Sequence, residues 1–191
     1  MQIRRKGLQM INYIFLATAL FGLSLPTNIY LFWIKKIFGC FPTSYSGTYG
    51  MLWDYSHKKK PFRHLTHIFT AWTGMHAALL LPALVYYSDT TLQISMASIA
   101  LLALVFVGLF PTSVSKDVTK VHCFCAKLCA LDAIVWLFLK GIYIPTLIFC
   151  VGGYIWSKGW QKKYETTIME YMAFVSAYTG VIICAVNSII G

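Results

Sequence analysis

Long apolar segments, separated by short polar or basic breaks, constrain this 191-residue chain more than any other feature of its sequence. A transmembrane helix needs about 20 apolar residues, and a backbone in lipid must satisfy its own hydrogen bonds. The segments predict six transmembrane helices, at about 8–33, 64–87, 92–110, 118–139, 142–156 and 166–190. We therefore expect an all-α, polytopic membrane protein, a compact six-helix bundle in a single domain over 1–191, with one long interfacial loop at 39–63.

The composition excludes most other classes of protein. Hydrophobic residues make up 58% of the chain and charged residues 12%, whereas a soluble domain has about 25% charged residues. Sixteen lysines and arginines against six acidic residues give a net charge of +10. The basic residues lie mainly at the ends of the apolar segments, where they set topology and attract anionic headgroups. We expect membrane lipids, including anionic headgroups, and membrane proteins as partners, and no nucleic acid.

The same basic residues predict which side of the membrane each loop occupies. With six spans, most lysines and arginines fall on the side that carries the 39–63 loop, opposite both termini. By the positive-inside rule this loop is cytoplasmic. We expect a multi-pass protein of the plasma membrane or of a bacterial inner membrane.

The first apolar segment is predicted to be an uncleaved helix with a kink. Its apolar run is too long for the h-region of a signal peptide, which has about 7–15 residues. Pro26 removes one backbone hydrogen bond, and Thr27 and Asn28 are polar neighbours that can bind the freed carbonyl groups.

Helical periodicity separates two faces of the fourth segment. At about 100° per residue, the inward stripe is predicted to contain His122, Cys125, Cys129, Asp132 and Trp136, and the lipid-facing side Phe124, Leu131 and Phe138. None of the six cysteines forms a C-x-x-C pair, so buried free thiols are expected.

The sixth and second segments also have faces of small and polar residues. Such faces let helices approach closely in lipid. In the sixth segment this face is predicted to contain Glu170, Ala173, Ala177, Gly180 and Cys184. In the second segment it contains His67, Ala71, Gly74 and Ala78, with His76 on the opposite side.

Three ionisable residues are predicted to share a pocket at the basic boundary. His67, His122 and Glu170 each lie about one turn inside that boundary, on segments that enter from the same side. Two histidines and a carboxylate are a ligand set for zinc or iron, and zinc is the cofactor we expect if a metal is bound. The same groups are suited to acid–base catalysis, and His122, Glu170 and Asp132 are the candidate catalytic residues.

Less specific roles stay open for these residues. Glu170 and His122 are also suited to hydrogen bonds that fix helix packing, or to binding a lipid headgroup. Asp132 lies deeper, and we expect a neutral side chain that is hydrogen-bonded across helices, with His76 as the basic residue nearest its level.

A short motif gives the chain a resemblance to known membrane proteins. The sequence Gly-Leu-Phe-Pro at 108–111 is followed by His122 and Ala126, and Ser44, Ser46, Phe69 and Glu170 extend the pattern. These residues resemble the six-helix membrane families of the DRAM/FRAG type and their uncharacterised bacterial relatives. The resemblance implies a compact six-helix integral protein, related more remotely to a superfamily that contains metal-dependent lipid amidases.

Two functions from different classes follow from the sequence. The first is a non-enzymatic membrane protein that packs with lipids or partner proteins, which the small-residue faces favour. The second is a metal-assisted lipid hydrolase with an interfacial site made by His67, His122 and Glu170. Bound metal would discriminate between them.

Overall fold

The computed structural model describes residues 2–24, 26–58, 67–112, 115–158 and 164–191. All regular structure in these ranges is helical. The helices are α1 (Gln2–Ser24), α2 (Pro26–Phe38), α3 (Thr48–Lys58), α4 (His67–Tyr86), α5 (Thr91–Leu109), α6 (Lys116–Leu139), α7 (Tyr143–Lys158) and α8 (Glu165–Ile190).

Five helical segments of the described residues are long and apolar enough to cross a membrane. They are Gly7–Phe38, which includes most of α1 and all of α2, His67–Tyr86, Thr91–Leu109, Lys116–Leu139 and Thr166–Ile190. The chain is therefore an all-helical, multi-pass membrane protein, as its sequence predicts. The predicted span at 142–156 corresponds to α7, which has 16 residues and a length of about 24 Å, less than the ~30 Å of a hydrocarbon core.

Helix α8 lies at the centre of the packing. It contacts α1, α4, α6 and α7, and the consecutive pairs α4–α5 and α5–α6 pack along each other. Close approach depends on glycine, because a Cβ on Gly180 of α8 would lie 2.5 Å from Leu137 Cδ2 of α6. In the same way, a Cβ on Gly152 of α7 would lie 2.8 Å from Met172 Cβ of α8.

Side-chain hydrogen bonds close one end of the bundle. Thr90 caps α5 in a capping box with Gln93, and Gln93 Nε2 also donates to the Leu139 carbonyl at the end of α6 (3.1 Å). Asn12 of α1 donates to the Ser188 carbonyl of α8 (3.4 Å) and accepts from the Tyr87 hydroxyl (3.0 Å). The ends of α4, α6 and α8 therefore lie on one side, where they meet the middle of α1 at Asn12.

The opposite end of the bundle is closed by different contacts. Thr167 Oγ1, near the start of α8, donates to the Pro42 carbonyl after α2 (2.7 Å). His122 Nδ1, near the start of α6, is 2.9 Å from the Phe110 carbonyl at the end of α5. The end of α2 and the starts of α6 and α8 therefore share the second side.

The predicted faces of α6 are confirmed. Asp132 is 6% exposed, whereas its neighbour Leu131 is 59% exposed. His122, Cys125 and Trp136 are also buried, and Phe124 and Phe138 are exposed on the other side.

The predicted inward face of α4 is wrong. His67, Ala71 and Ala78 are exposed, whereas His76 is buried completely. The residues that pack inward are larger: Phe69, Trp72, Thr73, His76, Ala77, Leu80, Ala83 and Leu84. In lipid both faces of a helix can be apolar, so side-chain size alone does not tell which face meets protein.

The predicted loop at 39–63 is more ordered than its sequence indicates. Helix α3 occupies Thr48–Lys58, and Tyr45 and Leu52 are buried. The beginning of the segment enters the bundle, whereas its end at 59–63 falls outside the described residues.

Candidate functional site

The site is built around the junction between α1 and α2. Pro26 lacks the N–H that would bind the Gly22 carbonyl in a continuous helix, and Thr27 Oγ1 donates to that carbonyl instead (2.8 Å). Asn28 Nδ2 donates to the Leu23 carbonyl (2.8 Å). The prediction that Thr27 and Asn28 satisfy the freed carbonyls is confirmed.

Two aromatic residues from other parts of the chain donate hydrogen bonds to two further backbone carbonyls at this junction. Trp72 Nε1 of α4 donates to the Pro26 carbonyl (2.8 Å), and the Tyr45 hydroxyl donates to the Thr27 carbonyl (3.0 Å). Burial raises the pKa of Tyr45 above its ordinary value, so this hydroxyl keeps its proton and remains a donor. The two rings stack with centroids 4.8 Å apart, and Tyr30 stacks on Trp72 at 4.9 Å.

Glu170 of α8 holds the turn that brings Tyr45 into the bundle. Its Oε2 accepts from the Tyr45 backbone N–H (2.5 Å), and its Oε1 accepts from Ser46 Oγ (3.2 Å). The turn leads directly into α3, since the Thr48 N–H donates to the Tyr45 carbonyl (3.1 Å). A carboxylate is well placed before a helix, where backbone N–H groups lack partners.

The next turns of α8 extend this contact into a buried aromatic cluster. Phe174 lies edge-on to Tyr45 and Trp72, with centroids 6.0 and 5.1 Å away. The Tyr178 hydroxyl is 2.6 Å from His76 Nδ1. His76 Nε2 is buried, and no described atom forms a hydrogen bond with it. Helical periodicity alone does not predict this pair, because it places His76 on the outer face of α4.

An apolar groove lies on the outer side of these aromatic residues. It has a volume of about 320 Å³ and is open on one side. Residues on both sides of the α1–α2 junction and on the first half of α4 line it: Phe21, Pro26, Ile29, Tyr30, Trp33, Ile68, Trp72 and Met75. Phe21, Ile29 and Met75 are exposed, so the groove faces the surroundings of the bundle. No single segment of sequence predicts it, because its walls come from three helices.

The structure does not bring the predicted metal ligands together. His67 is exposed at the start of α4, and His122 Nδ1 faces the Val107 and Phe110 carbonyls at 3.1 and 2.9 Å. Because carbonyls only accept, this nitrogen carries a proton. Within the described ranges, no three His, Cys, Asp or Glu side chains form a group that could hold a metal ion. The zinc site at His67, His122 and Glu170 thus lacks geometric support, since equal depth on three helices does not determine which faces meet.

The other predicted residues occupy separate places. Asp132 Oδ2 is buried, and none of the described residues forms a hydrogen bond with it. The hydrogen bond across helices expected for Asp132 is not formed at this atom, and His76, the nearest basic residue by sequence, bonds Tyr178 through Nδ1. The six cysteines are free, and Cys125 and Cys184 are buried as packing residues. A catalytic role for His122, Glu170 or Asp132 stays a prediction.

Comparisons with known proteins found no match. No protein family, no curated protein and no solved structure matches this chain. The resemblance to the DRAM/FRAG type stays a prediction.

Proposed function

We propose that this protein is a non-enzymatic membrane protein that binds a membrane lipid, with one acyl chain in the groove between α2 and α4. The observation that carries this proposal is the groove itself, which is lined almost entirely by apolar atoms and is open to the surroundings of the bundle. An acyl chain is the apolar ligand available there at the highest concentration.

An acyl chain that enters the groove leaves one apolar environment for another, so the hydrophobic effect contributes little. The free energy of binding would therefore come from van der Waals packing. A preformed wall reduces the entropy lost on binding. Trp72 and Tyr30 provide such a wall, since Trp72 is hydrogen-bonded to the Pro26 carbonyl and Tyr30 is 2.5 Å from Thr48 Oγ1 through its hydroxyl. These hydrogen bonds hold both rings in fixed positions at the base of the groove.

The proposal includes six spans, with α7 as the fifth crossing. The end of α6 lies on the side of Asn12, whereas the start of α8 lies on the side of Pro42. A crossing by α7, the helical part of the chain between them, would connect these two sides. A helix as short as α7 can cross where the bilayer is locally thinner. Lys140 and Lys158 at its ends can extend their side chains to the headgroups.

Photocrosslinking tests lipid binding in the groove. The protein would be reconstituted into phosphatidylcholine vesicles that contain a trace of phosphatidylcholine with a diazirine on one acyl chain. We expect adducts to concentrate on the peptides that contain Ile29, Trp33 and Met75. Met75→Trp should fill the groove and remove this labelling, whereas Leu131→Trp, on the lipid-facing side of α6, should leave it unchanged. Uniform labelling of all exposed apolar faces would contradict the proposal.

A further inference from the structure

We propose that the occupant of the groove is an anionic phospholipid and that Lys36 binds its headgroup phosphate. This inference rests on the proposed function, because it names the class of lipid whose acyl chain the groove would hold. It begins from the position of Lys36 relative to the groove-lining residues of α2.

Lys36 continues the groove-lining side of α2 by one turn. Ile29 and Trp33 line the groove, and Lys36 follows them at spacings of seven and three residues, which place side chains on one side of a helix. Lys36 is exposed and lies in the last turn of α2. Lys35 is rotated from it by about 100°, and its Nζ lies 4.5 Å from the centroid of the Phe41 ring.

The groove and Lys36 are arranged in the order of the parts of a phospholipid. Trp33 and Ile68 form the end of the groove near the end of α2 and the start of α4. Phe21 and Met75 form the deeper end, away from these termini. A phosphate beside Lys36 would therefore place an acyl chain along Trp33 and Trp72 toward Met75.

The charge near this opening favours an anionic lipid over a zwitterionic one. Lys36 is a basic residue in the last turn of α2, and a lysine near the membrane surface attracts anionic lipid by about 1 kcal/mol. That energy corresponds to about a fivefold preference.

A competition between headgroups tests the inference. Phosphatidylcholine vesicles would contain a trace of diazirine-labelled phosphatidylglycerol or of phosphatidylcholine with the same labelled chain. At low salt we expect about five times more phosphatidylglycerol adducts on the peptides of Trp33 and Met75. Lys36→Gln should bring this ratio close to one. Lys35→Gln, the matched control on the other side of α2, should retain it.

The outcomes separate the two proposals. Equal labelling of the groove by both lipids would overturn the headgroup assignment and leave acyl-chain binding intact. Absence of groove adducts with either lipid would overturn the proposed function. Equal loss of the preference in Lys35→Gln and Lys36→Gln would assign it to general surface charge and overturn the role of Lys36. A crosslink between two copies of the chain through these peptides, formed by a bifunctional reagent in the same vesicles, would replace the lipid by a second protomer and overturn both.

Discussion

Glu170 joins two parts of the chain that are 125 positions apart, because one carboxylate accepts from both the backbone and a side chain of the turn at 45–46. An amide in its place would have one acceptor oxygen and a donor group that faces the Tyr45 or Ser46 donor. The carboxylate therefore has a defined structural role that does not require a metal or a proton transfer.

Substitution of Glu170 should destabilise the protein in proportion to the hydrogen bonds lost. We expect Glu170→Ala to lower the free energy of unfolding by about 2–3 kcal/mol, since two donors lose their acceptor. Ser46→Ala removes only one of these bonds and should cost about 1 kcal/mol. Thermal unfolding in detergent measures both variants, and equal stability of Glu170→Ala and the wild type would contradict the structural role.

The bond between His76 and Tyr178 gives a second prediction for a single residue. Tyr178→Phe leaves His76 Nδ1 buried without its partner, and we expect a loss of about 1–3 kcal/mol. Tyr171→Phe is the matched control, because the Tyr171 hydroxyl donates to Asn28 Oδ1 (3.2 Å) in a half-buried position. The control should lose less stability than Tyr178→Phe in the same unfolding experiment.

The junction of α1 and α2 lacks one backbone N–H, that of Pro26, and the Thr27 hydroxyl takes its place as a donor. Thr27→Val keeps the side-chain shape but leaves the Gly22 carbonyl without its donor, and we expect a loss of about 1–2 kcal/mol. In Pro26→Ala the restored N–H can bind the same carbonyl. The cost of Thr27→Val should therefore be smaller in that background, which a double-mutant cycle measures. Strictly additive costs would show that the hydroxyl does not substitute for the N–H.

Two adjacent glycines of α7 test its contact with α8. A Cβ at Gly152 would lie 2.8 Å from Met172 Cβ, whereas a Cβ at Gly153 has no atom within 4 Å. Gly152→Ala should destabilise the protein by about 1–3 kcal/mol through overpacking. Gly153→Ala should be neutral or stabilising by up to about 1 kcal/mol, because alanine has the higher helix propensity. The same response to both changes would argue against close packing of α7 on α8.

Elements differ in how much of their environment the sequence predicts. The two faces of α6 follow from periodicity, because bulky apolar residues lie opposite His122 and Asp132. The hydrogen bonds of Thr27 and Asn28 follow from local chemistry beside Pro26. The inward face of α4 does not follow from its own sequence. Trp72 faces protein because it stacks on Tyr45, and His76 because it bonds Tyr178 of α8. The groove was also beyond prediction, because it depends on the relative placement of α1, α2 and α4.

At the scale of the whole molecule, the hydrogen bonds at the two ends of the bundle determine which helix ends share a side. Asn12 connects the middle of α1 with the ends of α4 and α8, and Thr167 connects the start of α8 with the segment after α2. The proposed six spans include a crossing between α6 and α8. Topology therefore tests the role of α7 without any assumption about its length.

Single thiols in a cysteine-free variant would report this topology. Asp54→Cys on α3 and Lys158→Cys at the end of α7 are exposed positions on the side of Pro42 if α7 crosses, whereas Gly191→Cys lies on the side of Asn12. An impermeant maleimide added to intact cells should label Gly191→Cys alone, because the positive-inside rule places the side of Asp54 in the cytoplasm. Reversal of all three results would invert the orientation but retain the crossing. Labelling of Lys158→Cys together with Gly191→Cys, and without Asp54→Cys, would show that α7 returns to the side on which it began.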